Sequence, residues 1–170
     1  MFQRILVPVD GSATSNRGLR TAIGLAHDQK AALVLLHVVD ELLVTPMGDG
    51  GVYVSPRFVD EFAAALRAQG AKVLARAEAQ ARKAGVGCRP VLAETLGRPV
   101  AEIIVAHAKR CRADLIVLGT HGRRGLARAV MGSDAEGVVR TSPVPVMLVR
   151  LGTARTVRQP KASARRSTNS

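Results

Sequence analysis

The amino-acid sequence predicts an α/β protein: one open, twisted, five-stranded parallel sheet with helices on both faces. Three observations carry that reading. Five short apolar runs recur along the chain, and three of them are nearly continuous, as parallel strands buried on both faces require. Segments with apolar residues at helical spacing fill the gaps, so strand and helix alternate from end to end. Aromatic residues make up only 2% of the 170 residues against 47% hydrophobic residues, so the core has to be built from Val, Leu, Ile and Ala.

The first run is Arg4-Ile-Leu-Val-Pro-Val9, followed by a helical pattern from 12 to about 28 with Leu19, Ile23 and Ala26 on one face. The second run is Ala32-Leu-Val-Leu-Leu-His-Val-Val39. The next helix spans 56 to about 83, with Phe58, Phe62, Leu66, Val73 and Leu74 together and Gly85 as its C-terminal cap. Gly87-Cys-Arg-Pro-Val-Leu92 is weaker and reads as an edge strand, where Pro90 is tolerated. A helix from 98 to about 110 has Pro99 in its first turn and groups Val100, Ile103, Ile104 and His107. Then come the strand Asp114-Leu-Ile-Val-Leu118, a short helix from Ser133 to Arg140, and Val144-Pro-Val-Met-Leu-Val149.

Right-handed crossovers restrict the ordering, and a Rossmann-like order 3-2-1-4-5 puts the first strand in the middle with the fourth beside it. Ligands of such sheets sit at the carboxyl ends of strands where the order reverses. That reversal faces Asp10-Gly11-Ser12 with Gly119-Thr-His-Gly122. The connection over 41–56 is unusually long and leaves from the same sheet end; it is either a lid or a variable surface loop.

Net charge is +12, but the segment after Leu151 holds five bases and no acid, leaving 20 basic against 13 acidic residues before it. The domain is therefore read as 1–150 and the remainder, 151–170, as a basic, disordered tail, with nucleic acid as an alternative partner for it. No stretch of about 18 apolar residues exists to span a membrane. The N-terminus runs straight into a strand, without signal-peptide features. Cys88 and Cys111 lack metal-ligand spacing and read as reduced thiols of a cytoplasmic protein.

The stretch 119–133 carries the chemistry. It closes neither as a Gly-Lys-Ser/Thr phosphate loop nor as G-x-G-x-x-G; its pattern is Gly119-x2-Gly122-x9-Gly132-Ser133. Gly119 and Gly122 turn the chain off the fourth strand and expose amides. Gly132 and Ser133 open a helix whose free N–H groups favour an anion. Arg123, Arg124 and Arg128 add positive charge. Ser133-Asp-Ala-Glu136 also matches a capping box, which accounts for Ser133 without any ligand. Asp10 either orients a ligand hydroxyl or caps the first helix. His37 reads as a packed core residue. His121 is a phosphate donor with no acid or nucleophile at readable spacing, and no hydrolytic triad is recognisable.

Several motifs together resemble the universal stress protein family: Ile5-Leu-Val-Pro-Val-Asp-Gly-Ser12, Leu36-His-Val-Val-Asp40, Gly97-Arg-Pro99, Ala113-Asp-Leu-Ile-Val-Leu-Gly-Thr-His-Gly122, Gly132-Ser133 and Ser142-Pro-Val-Pro-Val-Met-Leu-Val149. The resemblance covers 2–150. It implies an adenine-nucleotide α-hydrolase-like fold, a homodimer paired through Val144 to Val149, and, from the glycine spacing, the ATP-binding branch with Mg²⁺. By position it implies Pro8, Val9 and Asp10 beside the adenosine and the backbone of Val38 or Val39 reading adenine. Gly119, Thr120, His121, Gly122, Arg123 and Arg124 would surround the phosphates, with Gly132, Ser133 and Asp134 closing the far side. Asp134 departs from the small or apolar residue usual there. The implied function is a cytoplasmic nucleotide-dependent stress switch or sensor with little turnover and an unidentified protein partner. The alternatives are a slow ATPase or autokinase using Ser133, and a nucleotide-free interaction protein using the tail.

Overall fold

A computed structural model of the chain describes residues 1–40, 56–120 and 131–151. Five strands and four helices alternate: β1 (Arg4–Pro8), α1 (Ala13–Gln29), β2 (Ala32–Val39), α2 (Pro56–Lys83), β3 (Cys88–Glu94), α3 (Val100–Cys111), β4 (Leu115–Gly119), α4 (Ser133–Thr141) and β5 (Val146–Val149). The sheet is entirely parallel in the order β3-β2-β1-β4-β5, as expected.

The continuous apolar runs are explained by two cores, one on each face. Along β1, Ile5 and Val7 enter a cluster with Leu33, Leu35, Leu115 and Val117, covered by Leu19 of α1 and Leu74 of α2. Leu6 points the other way, to Val34, Leu36, Ile116 and Leu118, covered by Ile104 of α3 and Val138 of α4. A strand with a period of two and both faces buried calls for apolar residues on both sides, and in β2 only His37 departs from that.

Local chemistry sets the ends. Ser12 caps α1, its Oγ accepting the Ser15 N–H at 3.1 Å. Gly85, at φ +71°, ends α2 as expected: its N–H reaches the Arg82 carbonyl and that of Val86 the Ala81 carbonyl, a Schellman closure. Lys30 and Arg112 close α1 and α3 in the same way, at φ 55° and 52°.

Three expectations need correction. Pro99 is the N-cap of α3 at ψ 139°, not a first-turn residue, and its carbonyl accepts the Glu102 N–H. β3 runs on to Glu94. β5 starts only at Val146, and ahead of it the Ser142 hydroxyl bonds both the N–H and the C=O of Val144 in a local turn.

β3 is an edge strand. The Gly87 carbonyl and the Thr95 N–H both face β2, so residues of that parity point inward and the backbone of Pro90 points out. Its missing N–H interrupts an otherwise pairable edge. The Asp114 carboxylate ties down the start of the chain, accepting the Gln3 and Arg4 N–H groups at 2.6 and 3.1 Å. Among the described residues no helix is long and apolar enough to cross a membrane.

Candidate functional site

The sheet opens where its order reverses. β1 stays in register with β2 as far as Pro8–Leu36, and β4 with β5 as far as Gly119–Val149. Between β1 and β4 the ladder stops earlier, at Leu6–Ile116. Their carboxyl ends therefore diverge into a crevice, the arrangement that seats ligands in doubly wound sheets.

On one side stands the exit of β1. Val9 is buried and both its backbone groups are engaged: its N–H donates to the Leu36 carbonyl at 2.8 Å, and its carbonyl accepts from His37 Nδ1 at 2.7 Å. A carbonyl only accepts, so Nδ1 carries the proton. Asp10 Oδ1 accepts the Ser12 N–H at 2.8 Å, and the Asp10 N–H donates to Ser15 Oγ at 3.1 Å. Gly11 between them sits at φ +83°, where a side chain is strained. One Asp10 oxygen thus shapes the turn into α1, and for Oδ2 no partner is present among the described residues.

The exit of β4 forms the other side. Gly119 does not turn the chain, contrary to expectation; it remains in β4 and is needed for close approach. A Cβ there would lie 2.8 Å from the Thr14 carbonyl carbon and 3.0 Å from the Ser15 nitrogen. The start of α1 therefore rests directly on β4, which holds the two exits together. Thr120 is buried; its N–H donates to the Val149 carbonyl at 3.0 Å and its carbonyl accepts the Gly132 N–H at 2.9 Å. That bond brings the β4 exit to the start of α4.

The start of α4 corrects two expectations. Gly132 is the N-cap, with φ −63° and ψ 147°, and its carbonyl accepts the Glu136 N–H at 2.9 Å. Ser133 is consequently the first helical residue and does not cap, so the capping box is not formed in the frame read from the sequence. The Gly132 N–H is already used by Thr120. The helix-start amides without an intrahelical acceptor are those of Ser133, Asp134 and Ala135. Ser133 and Asp134 are exposed.

Backbone parity separates Val38 from Val39. The Val39 carbonyl accepts the Thr95 N–H at 3.0 Å, so Val39 faces β3. Val38 has the parity of Leu36, whose carbonyl faces β1. Its N–H and C=O point to that side, beyond the place where β1 has left the sheet. No partner for either group occurs among the described residues. An adenine edge, which offers a donor and an acceptor side by side, fits such a pair.

The crevice thus brings together Pro8, Asp10, Val38, Gly119, Thr120, Gly132, Ser133 and Asp134, while Val9 and Val39 act behind it. His121, Gly122, Arg123, Arg124 and Arg128 lie outside the described residues, as does the connection 41–55. No cluster of three His, Cys, Asp or Glu side chains suited to a metal occurs among the described residues. Two shallow concavities lie elsewhere, one of about 430 Å³ beside β3 and one of about 260 Å³ near Gly85 and Lys30, at the opposite end of the sheet from the crevice. Neither touches the residues that converge at the β1–β4 opening.

From the sequence His37 reads only as a packed core residue. It also holds the Val9 carbonyl, and α2 approaches so closely that a Cβ on Gly70 would lie 2.6 Å from its Cδ2. The signal was present as a lone polar residue in an apolar strand, one residue before the proposed adenine reader.

The family model described as "Universal stress protein family" matches residues 1–150. Universal stress protein YxiE of Bacillus subtilis is 38% identical over 151 residues, covering 88% of this chain and all of the relative. Among solved structures, protein MJ0577 of Methanocaldococcus jannaschii superposes with a TM-score of 0.76 at 25% identity, over 91% of this chain and 99% of that one. The universal stress protein of Archaeoglobus fulgidus in complex with dAMP superposes with a TM-score of 0.59 at 23% identity, over 86% and 97% of the two chains. With a matching model over nearly the whole described fold and a full-length relative above 30% identity, the chain belongs to the universal stress protein family.

Proposed function

We propose that this member binds ATP with Mg²⁺ in the β1–β4 crevice and acts as a cytoplasmic, nucleotide-dependent stress switch or sensor with little turnover. The observation that carries this is the opening of the sheet at its switch point, flanked by the unpaired backbone of Val38 and by the amides that start α4. Val38 reads the adenine edge. Asp10, already held by Ser12, turns its other oxygen to the ribose hydroxyls. Thr120 and the Ser133–Ala135 amides receive phosphate, where the positive end of α4 favours negative charge. Asp134 opposes that charge, and bound Mg²⁺ offsets it. His121, Gly122, Arg123 and Arg124 complete the phosphate side. The dAMP complex of the Archaeoglobus protein is a property of that protein; at 23% identity the likeness carries the fold, and the nucleotide reading rests on this chain's own geometry.

The nucleotide-binding unit is 1–150, with 151–170 appended to it, and the protein works as a homodimer. The outer edge of β5 is the surface for pairing, since β5 has β4 on one side only. Calorimetric titration of the folded protein with ATP·Mg²⁺ tests the binding, and release of label from γ-labelled ATP tests turnover. Saturable heat with negligible release is expected. Absence of binding heat refutes the nucleotide reading, and steady release of label replaces the switch with an ATPase.

A further inference from the structure

The larger of the two concavities, about 430 Å³, lies on the sheet face between β3 and α3, away from the crevice. Val34, Val91 and Cys111 contribute to its apolar floor, and Arg89, His107 and Arg110 supply its polar groups. Arg89 pairs in register with Val34 and shares the parity of Val91 and Ala93, which pack into the α3-side core. Its side chain therefore stands on the covered face of the sheet, at the edge, where it stays exposed.

Arg110 donates from Nη2 to His107 Nε2 at 2.8 Å. A guanidinium only donates, so Nε2 is bare and the proton sits on Nδ1, 2.9 Å from the Ile103 carbonyl. Burial pushes the imidazole below its ordinary range; the Ile103 carbonyl opposes this, and Arg110 and Arg89 add to it. Among the described residues no carboxylate pairs with Arg89 or Arg110. Two guanidinium groups and a neutral imidazole thus share one apolar groove with no acid to balance them.

We propose that this groove binds a small organic anion, a compact apolar body bearing one carboxylate or phosphate group, held between Arg89 and Arg110. The planar guanidinium matches either head group in a two-point contact. The apolar floor takes the body, and the volume lies in the range of small-molecule sites. An added peptide strand is disfavoured, because Pro90 removes an N–H that such a strand would need from the β3 edge. The site is independent of any nucleotide in the crevice.

The test is residue-resolved NMR titration of the full chain with phenyl phosphate and with benzoate, using benzyl alcohol and inorganic phosphate as controls. Saturable shifts of Arg89, Val91, His107 and Arg110 are expected with both organic anions, with either control weaker by about tenfold or more. Arg89→Gln and Arg110→Gln, exposed positions whose spectra report an intact fold, should each weaken phenyl phosphate by about tenfold. Shifts confined to other residues, unchanged affinity in both variants, or inorganic phosphate binding as tightly as phenyl phosphate would each overturn the proposal. So would a hexaglutamate peptide occupying the groove more tightly than either organic anion.

Discussion

Gly119 is the residue on which the two sides of the crevice meet. A methyl group there would press within 3.0 Å of α1 backbone atoms, which have no side-chain freedom with which to yield. Gly119→Ala should therefore destabilise the protein by about 1–3 kcal/mol, as overpacked sites do. Urea denaturation measures it, and an unchanged midpoint would show that α1 does not rest on β4 as described. The sequence made Gly119 conspicuous but not its reason, because close approach depends on a helix more than 100 residues earlier in the chain. Asp10 was legible as an either-or. The structure gives the cap to Ser12: one Asp10 oxygen shapes the turn ahead of it, and the other has no partner among the described residues. The distinction between Val38 and Val39 was not legible at all. It follows from which neighbour each backbone faces, and that requires the strand order and register.

At the scale of elements, the existence and type of every strand and helix followed from periodicity, and the errors lay at their ends. Pro99, Ser133 and Val144 were each displaced by one or two residues, because capping is decided by single hydrogen bonds that periodicity does not register. The three Schellman closures differ in quality for a physical reason. Gly85 adopts the left-handed conformation without strain, whereas Lys30 and Arg112 carry a Cβ into it. Arg112→Gly should stabilise the protein by about 0.5–1 kcal/mol, the relief of strain outweighing the added freedom of the unfolded chain. Arg112→Val, β-branched at the same position, should destabilise it. A rise in thermal midpoint for valine over glycine would contradict the assignment of Arg112 to that conformation.

At the scale of the molecule, the two sheet edges are unlike. Pro90 interrupts β3, and the ion pair between Arg67 of α2 and Glu94 lies at the end of that strand. β5 is short and half-buried, with no proline inside it. Association is therefore expected at β5, and sedimentation should give a dimer at micromolar concentration. Met147→Lys should shift it toward monomer by placing a charge on that strand. A wild-type monomer under those conditions would remove the β5 interface. In the proposed function the opening between β1 and β4 holds the nucleotide and Val38 reads its base. Amide-resolved NMR of the full chain during addition of ATP·Mg²⁺ tests it most directly. Saturable shifts are expected at Val38, Asp10, Thr120 and Ser133–Ala135, with Val39 and the β3–α3 groove little changed. Saturable shifts that leave Val38 and the start of α4 untouched would contradict it.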